Sequence, residues 1–226
     1  MDKASLLDSK VKGFAILENV LSENECESLR IHLDCRVKRP GVRHLFGDRL
    51  VQKIAADERL LSIARHFVGA EPVPFKAILF DKSESSNWLV VWHQDRVLPV
   101  VSQTDDPDWG PCTVKDGIQF AQAPSWAMDE IVALRLHLDD STTTNGPLRV
   151  IPGSHALGLL DQNDVVQYAN HSLSVTCTVR KGGIIAMRPL LIHSSSKSTS
   201  TESRRVLHIE YATRLRLSES IELALS

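Results

Sequence analysis

The sequence predicts one mainly β domain, a sandwich or jelly roll, behind a helical N-terminal part. Three observations carry this. From residue 73 onward, short β-branched and aromatic runs alternate with turn residues. Before that point, apolar residues recur at helical spacing. The 226 residues suffice for one substantial core and are short for two.

Taken in order, Gly13-Phe14-Ala15-Ile16-Leu17 reads as a short strand-like entry. Ser22, with Glu25 three residues on, forms a capping box that opens a helix whose apolar face carries Cys26, Leu29, Ile31 and Leu33. A second helix spans Asp57 to Phe67, with Leu60, Leu61, Ala64 and Phe67 at helical spacing, and Gly69 stops it. Strands are predicted at 75–80, 88–92, 131–138, 148–151, 173–179, 183–187, 190–193 and 205–211. The run 98–124 has little regular pattern and carries Pro99, Pro107, Gly110, Pro111, Gly117 and Pro124; a long irregular insert of this kind reads as a lid. Residues 215–226 read as a helix or a frayed tail. The expected layout is a single domain over 1–226: a mostly helical part at 1–72, a jelly-roll core at 73–213, and the insert within it.

Composition narrows the function. Lys and Arg total 26 against 28 Asp and Glu, so no basic excess points to nucleic acid or an anionic membrane surface. Asp2, Lys3 and Asp8 break up any apolar leader, and no stretch reaches the roughly 18 apolar residues of a membrane span. Cys26, Cys35, Cys112 and Cys177 form no C-x-x-C pair and read as free thiols of a reducing cytoplasm.

The chemistry lies in histidines and carboxylates. On a strand, His-x-Asp puts both side chains on one face, where both can reach one metal ion. Two imidazoles and a carboxylate on one face of an octahedral ion leave positions open, the preference of non-haem iron oxygenases. The pattern alone is weak: with 9 histidines in the chain, chance gives roughly 0.6 matches. Three occur: His32-Leu33-Asp34, His93-Gln94-Asp95 and His137-Leu138-Asp139. His32 lies in the first helix, where i and i+2 do not share a face. His137 ends an apolar strand and runs into the turn Asn145-Gly146-Pro147, which reads as an exposed hairpin mouth. His93 follows the apolar run Trp88–Trp92 and precedes the insert, so its strand delivers it to a pocket. A third ligand must return from far along the chain. His193 ends Arg188-Pro189-Leu190-Leu191-Ile192, with Gly183–Met187 as the neighbouring strand. His155 follows a turn, His171 sits in a polar stretch, and His208 also competes.

These residues together resemble the phytanoyl-CoA dioxygenase family of Fe(II)/2-oxoglutarate oxygenases, from about Gly13 to Ala212. Four segments carry the resemblance: Gly13–Leu29, Trp92-His93-Gln94-Asp95, Asn145-Gly146-Pro147-Leu148-Arg149-Val150-Ile151-Pro152-Gly153-Ser154-His155, and His193-Ser194-Ser195 followed by Arg204-Arg205-Val206-Leu207. The P-G-S-H segment and the spacing from His193 to Arg204 are the specific features. The resemblance implies a double-stranded β-helix of the cupin type. It implies His93, Asp95 and His193 as iron ligands and Arg204 as partner of the distal carboxylate of 2-oxoglutarate, a task that suits a planar guanidinium fork. Ser195, Gln94 and Ile78 would be further cofactor contacts, and Arg205 a surface or structural arginine. A carboxylate at 95 implies hydroxylation-type chemistry, because related halogenases carry Ala or Gly there. Fe(II), 2-oxoglutarate and O2 would react with an unactivated C–H bond, giving succinate and CO2; desaturation, ring closure or epoxidation would use the same site. Two departures concern cofactor contacts. Arg135 stands where some members carry Trp, and only a Ser/Thr run follows His193.

For the primary substrate, Lys76 and Arg135 on barrel strands, Arg96 beside the metal pair and Arg43 favour a small anionic metabolite, with His137 and Trp92 as further pocket candidates. The same cations could instead pair structurally with Asp81, Asp139 or Glu210. Trp88, Trp92 and Trp109 could wall the pocket or pack the core. A cupin-like isomerase or regulator is the competing class, as is a non-catalytic partner subunit. Arg204 argues against the first, and an intact ligand set against the second.

Overall fold

The computed structural model describes residues 6–34 and 41–226; Cys35 lies outside them. The helix Glu23–Asp34 begins at the expected box: the Ser22 N–H donates to Glu25 Oε2 at 2.8 Å, and the Glu25 N–H to Ser22 Oγ at 3.3 Å. Its buried side chains are Cys26, Leu29 and Leu33, whereas Ile31 is exposed, because it lies off the stripe the other three define. The helix Glu58–Val68 is capped by Asp57 and ends at Gly69, whose φ of 70° is the left-handed turn that favours glycine. Helices Arg49–Ala55, Ser125–Asp129 and Gln162–Asn170 were not expected from the sequence. Each is too short for a periodic pattern to stand out.

Thirteen strands are described: β1 (Phe14–Leu17), β2 (Gly41–Val42), β3 (Val73–Lys82), β4 (Val90–His93), β5 (Val97–Val100), β6 (Cys112–Lys115), β7 (Ile118–Gln122), β8 (Ile131–His137), β9 (Leu148–Val150), β10 (Val175–Cys177), β11 (Ile184–Met187), β12 (His193–Ser195) and β13 (Arg204–Ala212). A six-stranded sheet runs β1-β11-β8-β13-β3-β2, and a four-stranded sheet runs β10-β9-β12-β4. All pairings are antiparallel, and the fold is the cupin-type jelly roll. The large sheet takes both edge strands, β1 and β2, from the N-terminal part, so the barrel begins well before residue 73.

Strand alternation decides what faces the barrel. On the outer side of the large sheet, Ala77 and Leu79, Leu207, Ile209 and Tyr211, and Val132, Leu134 and Leu136 pack under the helices with Leu29, Leu33, Leu60 and Ile63. The intervening residues face inward. In register they form rows: Lys76 beside Glu210, Ile78 beside His208 beside Arg135, Phe80 beside Val206 beside His137, and Lys82 beside Arg204. A sheet with an apolar outer face and a largely polar inner face is built to hold something between its two layers.

Four expectations need correction. The run Leu190–Ile192 is buried but is a turn, and the strand starts at His193; continuous apolarity marks burial and does not distinguish a strand from a packed loop. His137 is buried rather than at an exposed mouth, and Asp139 beside it pairs with Arg205 at 2.7 Å. The segment 215–226 is neither helix nor frayed. Its backbone bridges the insert and the core: Val101 N–H donates to Glu222 O and Ala224 N–H to Pro99 O, while Ser226 exchanges bonds with Phe75 and Ala77. The insert is itself ordered as the sheet β5-β7-β6, with Leu98, Val100 and Trp109 packed against Leu217, Ile221 and Leu223.

Candidate metal centre and cofactor pocket

β4 and β12 are neighbours in the small sheet, and their register sets His93 opposite His193. The ring centroids lie 4.2 Å apart. Asp95, just past β4, closes the group: Oδ1 is 3.7 Å from His93 Nε2 and Oδ2 is 3.6 Å from His193 Nε2. One ligand atom from each of the three lies within 4.8 Å of the others, the one such cluster found among the described residues.

The second ring nitrogens settle the tautomers. His93 Nδ1 lies 2.8 Å from Val91 O, and His193 Nδ1 lies 2.8 Å from Leu191 O. A carbonyl can only accept, so each Nδ1 carries the proton and each Nε2 presents its lone pair toward Asp95. This is how metal-ligating imidazoles are held. Burial pushes His193 down to about 4 and so keeps it neutral. Three donors on one octahedral face, each about 2.1 Å from the ion, lie about 3 Å apart, so a small contraction would seat a divalent ion.

The cluster opens on a cavity of about 160 Å³ between the two sheets. Arg204 lines it and, among the described residues, spends only Nε, on Asn145 O at 3.1 Å. Burial lowers its pKa to about 10, so it stays charged at neutral pH. A wider groove of about 1040 Å³ lies elsewhere, around Arg59, Asp139 and Arg205. Arg59 and Arg205 there are taken up in ion pairs with Glu25, Asp57, Asp34 and Asp139, and the groove holds none of the metal cluster.

Beyond geometry, the phytanoyl-CoA dioxygenase (PhyH) family pattern matches residues 33–206. The chain belongs to that family. The resemblance read from the four motif segments is therefore borne out. Among similar proteins, the L-proline trans-4-hydroxylase of Streptomyces griseoviridis is 28% identical over 92% of this chain and 87% of its own length. EctD from S. alaskensis, solved with bound Fe, matches 100% of this chain and 87% of its own at TM-score 0.73 and 19% identity. HygX from Streptomyces hygroscopicus, solved with nickel and 2-oxoglutarate, matches 94% and 86% at TM-score 0.67 and 19% identity.

Within this family member, the structure separates the candidate residues. Lys76, Ile78, Arg135, Ser195 and Arg204 line the cavity with the metal cluster. Ser195 does so with its proton committed: Oγ donates to Gly146 O at 2.8 Å and accepts from Lys82 Nζ at 2.7 Å, so it has no free donor for a carboxylate. Gln94 does not reach the pocket. Following His93 on an extended segment it points the other way, where its amide bonds Gly158 O, Leu190 O and the Leu160 N–H. Trp92, preceding His93, also points away; it packs near Ile151 and Ile192, with Arg149 stacked 5.1 Å from its ring. Arg96 does not line the cavity, nor does Arg43, which is exposed. His137 faces inward but is enclosed behind the wall, both ring nitrogens without partners among the described residues, and burial drives its pKa well below the usual value. Trp88 lines the pocket, whereas Trp109 packs in the core.

Sequence reasoning missed Lys82 and passed over His208 except as a competing ligand. Lys82 is fully buried, its ammonium held by Ser195 Oγ at 2.7 Å and Ser196 O at 2.6 Å under the Trp88 ring, and burial lowers its pKa to about 8. The signal was available: Lys76, Ile78, Phe80 and Lys82 share one face of a strand by alternation.

Proposed function

We propose that this protein is an Fe(II)- and 2-oxoglutarate-dependent dioxygenase that hydroxylates an unactivated C–H bond of a small anionic metabolite, with release of succinate and CO2. The observation that carries the reading is the placement of the His93/Asp95/His193 cluster and Arg204 in one cavity. A cupin-like metalloprotein that is not an oxygenase has no use for that arginine. When bound, iron supplies the oxidising chemistry, and the protein supplies geometry and a dry site. His93 and His193 hold the metal through Nε2 and Asp95 through its carboxylate. Arg204 pairs the distal carboxylate of 2-oxoglutarate through its two Nη groups. Phe80, Leu148 and Val90 provide apolar walls that limit water. That a similar enzyme hydroxylates proline supports a small substrate and the hydroxylation outcome.

Fe(II)-loaded protein is expected to convert 2-oxoglutarate to succinate slowly without any added substrate, and His193→Ala to lose this. Succinate quantified by chromatography decides it; equal formation by both proteins would sink the reading.

The insert reaches the cavity wall at Lys76, whose Nζ lies 6.0 Å from the Phe120 ring of β7. We read it as a cover. Limited proteolysis across 98–124 is expected to slow when iron and 2-oxoglutarate are added, and an unchanged cleavage rate would remove the cover role.

A further inference from the structure

The inner face of the large sheet carries a chain of polar contacts across three adjacent strands. Lys76 Nζ on β3 meets Glu210 Oε1 on β13 at 2.7 Å. The same carboxylate oxygen is 3.0 Å from His208 Nε2, and His208 Nδ1 is 3.3 Å from an Nη1 of Arg135 on β8. Proton roles follow from chemistry. The guanidinium can only donate, so Nδ1 accepts, Nε2 carries the proton, and Nε2 donates to Glu210. Burial lowers the His208 pKa, in keeping with this neutral tautomer.

The chain ends on a cation with no ion-pair partner among the described residues; the nearby Asp95 carboxylate acts on it only at longer range and is the one that would be taken up by the metal. Lys76 has Glu210. Among the described residues, Arg135 has no carboxylate partner: its Nε is enclosed and donates to nothing, Nη1 reaches only His208, and the guanidinium lies 5.3 Å from the Phe80 ring. The ring offsets part of the cost of enclosing the charge and does not cancel it. Arg135 lines the cavity, one row from Lys76 and Glu210 and two rows from Lys82 and Arg204 in the sheet register. In the reading above, on which this inference rests, the two carboxylates of 2-oxoglutarate are matched by the metal and by Arg204. An enclosed guanidinium remains for a third component.

We propose that Arg135, aimed by His208 and Glu210, binds the carboxylate of the primary substrate. His208 is then a positioning residue acting through Arg135. Lys76, already paired, is not the anion site.

The test uses anaerobic protein loaded with Fe(II) and 2-oxoglutarate, with propionate as the carboxylate probe and propionamide as its uncharged counterpart. Propionate is expected to raise the wild-type melting temperature by a few degrees and propionamide to leave it unchanged. Arg135→Met should lose the propionate response, hold 2-oxoglutarate within about threefold of wild type, and melt no lower than wild type when ligand-free, because removing an unpaired enclosed charge is not destabilising. Arg135→Lys should keep part of the response. His208→Leu should reduce it several-fold, and His208→Asn, which retains an acceptor near the place of Nδ1, should restore it. A propionate response that is absent in the wild type or persists in Arg135→Met overturns the proposal. So does a loss of 2-oxoglutarate affinity in Arg135→Met as large as that in Arg204→Met, which would assign the cation to the cofactor. Failure of the wild type to bind 2-oxoglutarate at all is seen before propionate is added; it would refute the cofactor reading, and this proposal with it.

Discussion

Arg204→Met is expected to raise the 2-oxoglutarate concentration that half-saturates succinate formation about a hundredfold, with metal affinity unchanged. The magnitude follows from what is removed. A guanidinium pairing a carboxylate through two charge-assisted bonds in an enclosed cavity contributes about 3 kcal/mol, and each 1.4 kcal/mol is tenfold in affinity. Arg204 is 3% exposed and keeps both Nη groups free of protein acceptors among the described residues, so the cofactor gains a partner that needs no rearrangement. The loss stops short of complete because Lys82 remains beside it in register and still contributes positive charge to that end of the cavity. Arg204→Lys should recover part of the affinity, since a point charge replaces the fork without its geometry. An affinity change below about threefold in Arg204→Met would place the distal carboxylate elsewhere.

Gly146→Ala is the second large effect, and it reaches the same end of the pocket through the backbone. Gly146 adopts φ of +68°, which L side chains resist. A Cβ there would stand 2.4 Å from Ser196 O and 3.0 Å from Lys82 Cδ, and the first of these is backbone that cannot swing aside. Gly146 O is also the acceptor for Ser195, and the neighbouring Asn145 O is the acceptor for Arg204 Nε. The substitution is expected to cost about 3 kcal/mol of stability, from the left-handed backbone together with the overlap. It should also weaken 2-oxoglutarate binding several-fold by displacing Lys82, Ser195 and Arg204 together. Urea unfolding and the cofactor titration read the two effects separately. Wild-type stability with normal cofactor affinity would show that this turn does not support the pocket.

The sequence made much of this site legible, and particular residues show where legibility ended. His93-Gln94-Asp95 stood out from two other copies of the pattern because an apolar strand precedes it. The other two copies prove to be a helical His32 that meets Asp48 and an enclosed His137. Arg204 was legible through its spacing from His193. Gln94, Trp92 and Arg96 were not, because adjacency to a ligand in sequence says little about facing: alternate residues of an extended segment point to opposite sides. Arg135 and Glu210 could be named singly, but their connection through His208 depends on the register of β3, β13 and β8, which distant pairings set. The ordered segment 215–226 has the same origin, since its partners Phe75, Ala77 and Pro99 lie more than a hundred residues away.

The central claim is that His93, Asp95 and His193 hold iron beside a 2-oxoglutarate site. Anaerobic titration of the protein with Fe(II) and then 2-oxoglutarate, followed by visible absorption, tests it most directly. A weak charge-transfer band that grows with 2-oxoglutarate to saturation in the wild type and is missing in His93→Ala is the expected result. No band in the wild type, or an unchanged band in His93→Ala, would contradict it.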